Sequence, residues 1–139
     1  MKQFIRTIAF LFAMTIFTHT VLAQGGFKVV VNKDNSVSEM DRSGVSRMLL
    51  RKTTKWSDGT TVEPVDLPSD SPVREDFTKT VHKKTVGAVK SFWQSQIFTG
   101  AGLPPHESAS DKEVLDWVAG KPGAIGYVSS RASLSGLPV

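Results

Sequence analysis

The amino-acid sequence predicts an α/β fold in which a mainly parallel sheet is flanked by helices. Apolar runs typical of buried strands occur at residues 27–31 (FKVVV), 61–67 (TVEPVDL) and 124–129 (AIGYVS). The segments between these runs carry apolar residues at helical spacing. Because strands that alternate with helices usually pair in parallel beneath them, we expect the three strands to lie side by side with helices on both faces.

Three of the four predicted helices begin at a residue that can cap the first turn. Ser38 with Asp41 matches a capping box, and so does Ser110 with Glu113. The Ser71-Pro72 pair also begins a helix, because serine is a good cap and proline fits the first helical position. The predicted helices cover residues 39–51, 72–82, 85–98 and a segment from Ser110 to Gly120, and residues 99–107 are predicted to be a loop.

The N-terminus has the basic, apolar and small-residue segments of a secretory signal peptide, in that order. Two basic residues in MKQFIR precede a short apolar run, and VLA ends at Ala23 with small or apolar residues. We therefore expect residues 1–23 to be removed after Ala23 and residues 24–139 to form one exported, periplasmic domain. An uncleaved anchor is the alternative, although the apolar run is shorter than the roughly 20 residues of a membrane span.

Charge and composition argue against several classes of function. Removing Lys2 and Arg6 from the 17 basic residues leaves 15 against 13 acidic residues, without a basic run that would favour nucleic acid as a partner. The sequence has no cysteine, which excludes thiol catalysis and disulfides. The spacing of His82 and His106 matches no catalytic or metal-binding motif, so we expect no enzyme activity, no metal and no cofactor.

The acidic and aromatic side chains are expected to have structural roles rather than to form a ligand site. The acids of the segment that surrounds Ser71 are expected to be solvated at the surface: Asp66, Asp70, Glu75 and Asp76. The aromatic residues at helical spacing are expected to be core rather than a ligand platform, since aromatics supply much of the buried area of a small domain. They are Phe92, Trp93, Phe98 and Trp117.

The Ser71 helix start allows two interpretations from the residues alone. Serine before proline is common at a helix start without any ligand. The free N–H groups and the positive end of a helix dipole also make such a start able to hold an anion. Both interpretations remain open at this level.

Three segments together resemble the phosphate-binding proteins of ABC importers, which are type 2 periplasmic binding proteins. The first segment is residues 29–66, which contains a strand, a helix and the W-S-D-G turn. The second is SDSPVREDF at 69–77 and the third is KPGAIGYVS at 121–129; all three resemble segments of that family, in the same order. The resemblance covers residues 27–129. It implies a ligand cleft between two α/β lobes, and the matched segments belong mostly to one lobe, so this chain resembles a single, reduced lobe.

The resemblance also implies an anion site at the family's Ser-Gly-Thr-Arg segment. Ser71 and Arg74 match the serine and the arginine, whereas Pro72 and Val73 replace the glycine and threonine and remove two donors. Leu67 stands where some members have a second arginine. The implied ligand-binding groups are therefore Ser71, the backbone of Val73, and Arg74, which could instead pair with Asp70.

Two hypotheses of function follow. The first is an exported solute-binding-like protein that binds phosphate or another small oxyanion weakly and works with a membrane permease. The second is a ligand-poor lobe that serves as a protein–protein interaction or sensing module in the cell envelope, with a sensor or a second copy of itself as partner.

Overall fold

The computed structural model describes residues 26–137 and 139; the predicted signal peptide lies outside these residues. The strands are β1 (Phe27–Val31), β2 (Glu63–Asp66), β3 (His106–Glu107) and β4 (Ala124–Ser129). The helices are α1 (Arg42–Leu49), α2 (Pro72–Phe77), a π-helical segment (Thr78–His82), α3 (Val86–Phe98) and α4 (Asp111–Gly120). Within the described ranges, no helix is long and apolar enough to cross a membrane.

The strands form one sheet in the order β1-β4-β2-β3, which confirms the α/β prediction. β2 pairs in parallel with both β4 and β3, whereas β1 pairs antiparallel with β4, so the sheet is mixed. β4 lies inside the sheet and its residues 124–128 are all buried. Gly126 allows this packing, because a Cβ atom there would come within 3.0 Å of side-chain atoms of Val65 and Val114.

The predicted start of the first helix is wrong by three residues. Asp41, rather than Ser38, caps α1, and its carboxylate accepts a hydrogen bond from the Gly44 N–H at 2.8 Å. The predicted end at residue 51 is also too late, because Arg51 has a φ of +53° and cannot continue a right-handed helix. The local sequence pattern alone does not show which of the two polar residues, Ser38 or Asp41, caps the helix.

The segments on either side of α3 also differ from their predictions. The helix predicted over 72–82 changes from α to π geometry at Thr78 and stops where Lys83 has a φ of +55°. The predicted loop 99–107 contains the short strand β3, which pairs with Val65 and Asp66 of β2. A strand of two residues has no periodicity by which the sequence could reveal it.

The core has two separate parts. The larger cluster lies between the sheet and helices α1, α2 and α4. A small cluster of Leu50, Val89 and Trp93, with Phe92 beside it, anchors α3. Phe98, which was predicted to be core, is 92% exposed at the end of α3, because the second cluster is too small to cover the whole helix.

Candidate functional site

Ser71 caps α2, as the sequence predicts. Its backbone is extended, and its Oγ accepts a hydrogen bond from the Arg74 N–H at 3.3 Å. Pro72 occupies the first helical position, where its missing N–H leaves no bond unmade. The next N–H group, that of Val73, lies in the first turn, where a helix has no internal acceptor to offer.

An open depression of about 230 Å³ lies beside this helix start. Ser71 and Thr85, the caps of α2 and α3, both line it. Its charged residues are Asp70, Glu75 and Lys79, and Lys79 is paired with Glu75 at 3.6 Å. Two carboxylates therefore face one ammonium group, and the depression itself does not carry a positive charge. The complete lining is Ser69, Asp70, Ser71, Glu75, Lys79, Thr85 and Val86.

Val73 and Arg74 do not line this depression. The Val73 side chain is half-buried against the main core. The Arg74 side chain is only 9% exposed and contacts Asp66 and Glu107, rather than the Asp70 considered from the sequence. Helix α2 therefore places Ser71 at the depression and the Arg74 guanidinium in a different, buried environment.

The guanidinium of Arg74 is held at three points. Its Nη2 lies 3.2 Å from Asp66 Oδ2, and its Nη1 donates to the Leu67 carbonyl at 2.6 Å. Nη1 also lies 3.4 Å from Glu107 Oε2. The buried Nε has no hydrogen-bond partner. Arg74 is thus neutralised by two carboxylates but retains an unused donor.

Asp66 is buried, which corrects the expectation that it is a solvated surface acid. Its Oδ1 accepts hydrogen bonds from the Tyr127 hydroxyl and from the Leu67 N–H. Burial raises the pKa of Asp66, while the charge of Arg74 and these hydrogen bonds act in the opposite direction. Burial and the neighbouring Asp66 charge raise the pKa of Tyr127, so its hydroxyl keeps its proton.

The sheet brings this polar group together, and we name Asp66, Arg74, Glu107 and Tyr127 the Arg74 cluster. Asp66 ends β2, Glu107 faces it in the register of β3, and Tyr127 lies in β4. Arg74 arrives from α2. Sequence reasoning missed Glu107 and Tyr127 because their proximity depends on strand pairing between distant segments.

His82 is buried and forms a hydrogen bond with Ser46, with 2.8 Å between its Nδ1 and the serine Oγ. Burial, with the positive charges of Arg74, Lys52 and Lys84, lowers its pKa to about 4. The ring is therefore neutral near pH 7 and joins α1 to the end of the π-helical segment. Across residues 26–137 and 139, no group of three or more histidine, aspartate or glutamate side chains is arranged to hold a metal ion.

Comparison by sequence gives no relative. No protein-family model matches the chain, and no curated protein matches it either.

Comparison by structure gives similar proteins. The chain superimposes with a TM-score of 0.58 and 19% identity on a protein from Clostridium perfringens described as a phosphate ABC transporter substrate-binding protein with bound phosphate. It also superimposes on an ABC-type phosphate transport receptor from Vibrio cholerae (TM-score 0.59, 17% identity) and on PstS from Borrelia burgdorferi (TM-score 0.59, 11% identity).

These similarities cover most of this chain and less than half of each neighbour. The aligned region is 78% of this chain and 42% of the Clostridium perfringens protein, and the other two alignments cover 76% and 41%. At identities below 20%, the likeness concerns the fold. The chain therefore has the fold of one lobe of the phosphate-binding proteins of ABC importers.

Proposed function

We propose that this protein is an exported, non-enzymatic binding-protein lobe that holds phosphate or another small oxyanion weakly. The proposed anion-binding groups are the Ser71 hydroxyl and the Val73 N–H at the start of α2 and, as a separate contact point that does not line the depression, the buried Arg74 guanidinium. The observation that carries the proposal is the capped start of α2, where Ser71 lines an open depression and the first-turn N–H of Val73 has no helical acceptor. The structurally similar phosphate transport proteins support phosphate as the first ligand to test.

The surroundings of this site make the affinity for phosphate low. Arg74 is already paired with Asp66 and Glu107, and the depression carries the carboxylates of Asp70 and Glu75. Water has access to the open depression and screens the remaining contacts. A dissociation constant on the order of millimolar, equivalent to about 4 kcal/mol, is therefore expected.

Titration with phosphate, followed by amide chemical shifts, tests the proposal. Phosphate up to tens of millimolar should shift the resonances of residues 66–77, and Ser71→Ala should remove these shifts. Ser57→Ala is a suitable control, because Ser57 is exposed and lies in the turn after Trp56, outside the lining of the depression. Wild-type protein whose 66–77 resonances do not move would contradict oxyanion binding.

Export and a membrane partner belong to the same proposal. The basic, apolar and small-residue order of residues 1–23 supports a signal peptide that sends the domain to the periplasm. A permease is the partner that a transport role requires.

A second function, an interaction or sensing module in the envelope, is favoured by one surface. Ile97 and Phe98 end α3 and are 51% and 92% exposed, and Leu103 in the following loop is 67% exposed. A contiguous patch of exposed apolar side chains is typical of an interaction site, and these three residues lie within seven positions of the sequence. Sedimentation velocity of wild type against Phe98→Ser tests whether a second copy binds there; a concentration-independent monomer in both would contradict self-association.

A further inference from the structure

We propose that the Glu107 carboxylate occupies the water-facing side of the Arg74 guanidinium and that an incoming oxyanion binds Arg74 by displacing it. This inference rests on the proposed oxyanion binding and identifies the residue that limits the affinity of the Arg74 guanidinium for an anion. Glu107 acts as a built-in competitor because its carboxylate has the charge and the geometry of the ligand.

The hydrogen bonds of Arg74 support this role. A guanidinium has five N–H donors arranged for two-point contact with an oxyanion. Glu107 makes a single contact, at 3.4 Å from Nη1, and Nε has no partner although it is buried. Glu107 therefore engages Nη1 through one long contact, and a small oxyanion with several oxygens can approach that nitrogen more closely once the carboxylate has moved away.

The two carboxylates that contact Arg74 differ in how firmly they are held. The Asp66 side chain is 10% exposed, and Tyr127 and Leu67 both donate hydrogen bonds to it. The Glu107 side chain is 57% exposed and belongs to a strand of only two residues at the edge of the sheet. Asp66 is thus a fixed partner of Arg74, and Glu107 is the exchangeable one.

Charge leads to the same conclusion. One guanidinium faces two carboxylates in the Arg74 cluster, so an approaching anion meets a local excess of negative charge. Replacing Glu107 by glutamine keeps the size of the side chain and removes one negative charge. The pair that remains, Asp66 with Arg74, is neutral and does not repel an anion.

The test compares phosphate binding by the wild type, Glu107→Gln and Glu107→Asp, with Glu39→Gln as the matched control. Glu39 is exposed and lies in the loop before α1. The measurement is the shift of the Arg74 Nε–H and Ser71 amide resonances with inorganic phosphate, repeated with sulfate. Glu107→Gln should bind about tenfold more tightly than wild type, roughly the effect of one close charge in a partly solvated site. Glu107→Asp should bind with intermediate affinity, and the control should match wild type.

The outcomes separate this inference from the proposed function. Tighter binding by Glu107→Gln, with a moving Arg74 Nε–H resonance, supports the inference even if wild-type binding is too weak to detect. Wild-type shifts near Ser71 that Glu107→Gln does not strengthen would overturn the inference and leave oxyanion binding intact. An absence of shifts in every variant, sulfate included, would overturn both.

Discussion

The rings of Phe77 and Tyr127 stack face to face, with parallel planes and centroids 3.7 Å apart. Phe77 ends α2 and Tyr127 lies in the middle of β4, so the stack fixes the helix that carries Ser71 and Arg74 to the interior of the sheet. The Tyr127 hydroxyl then reaches Asp66, the fixed partner of Arg74. Packing and polar contacts thus orient the same helix.

Tyr127→Phe should keep the stack with Phe77 and lower the free energy of unfolding by about 1.5–3 kcal/mol, because buried Asp66 loses a hydrogen-bond donor. Urea denaturation measures this change. The control is Thr99→Val, which removes an exposed hydroxyl that donates to Ser95 and should change stability by less than about 0.5 kcal/mol. An unchanged unfolding midpoint for Tyr127→Phe would contradict the structural role of the hydroxyl.

Arg74→Met should be more damaging. It leaves the buried Asp66 carboxylate without its cationic partner, which typically costs roughly 3–5 kcal/mol. Arg47→Met replaces an exposed arginine of α1 and should be nearly neutral. Equal unfolding midpoints in urea for Arg74→Met and Arg47→Met would show that the ion pair between Arg74 and Asp66 does not stabilise the fold.

Acid should destabilise the protein through His82. Its pKa is about 4 in the folded protein against 6.5 for the free side chain, so the unfolded chain binds the proton more readily. The stability that this difference provides is complete above about pH 6.5 and is lost as the pH falls towards 4. His82→Asn should flatten the decline of the urea midpoint over this range, whereas His106→Asn, at an exposed histidine stacked on Trp117, should not. A parallel decline in wild type and His82→Asn would contradict this assignment.

Gly126→Ala should destabilise the fold by roughly 1–3 kcal/mol, the usual range for overpacking. The new methyl group would press on Val65 and Val114, which hold β2 and α4 against β4. Gly120→Ala is the matched control, since a methyl group there meets no atom within 4 Å. Thermal unfolding should separate the two, and a Gly126→Ala protein as stable as wild type would contradict the close packing at β4.

Mass spectrometry of the secreted or periplasmic fraction should find Gln24 as the first residue, because the signal-peptide pattern ends at Ala23. An intact Met1 in that fraction would contradict cleavage. Recovery of the intact chain with the membranes would favour the uncleaved anchor.

The sequence reveals those features of the fold that depend on neighbouring residues. The caps at Ser71 and Ser110 were predicted, because each bonds the backbone three residues further on, and the helix predicted to start at Thr85 begins directly after it. The three apolar strands were also predicted, since each has enough residues to show a pattern.

The Arg74 cluster could not be predicted in the same way. Asp66 and Glu107 are 41 positions apart and meet only because β3 pairs with β2. The exposure of Phe98 was missed for a related reason. Helical spacing shows which side chains share a face, but not whether another element covers that face.

The position of β4 inside the sheet has a consequence for how the molecule assembles. β4 separates β1 from β2, yet among the described residues it is the last strand in sequence order, and its Ser129 pairs with Phe27. During synthesis, β1 and β2 therefore have no strand to join them until Ala124–Ser129 has emerged. The sheet is complete only after Ala124–Ser129 has been synthesised, so until then the growing polypeptide lacks the strand that joins β1 to β2.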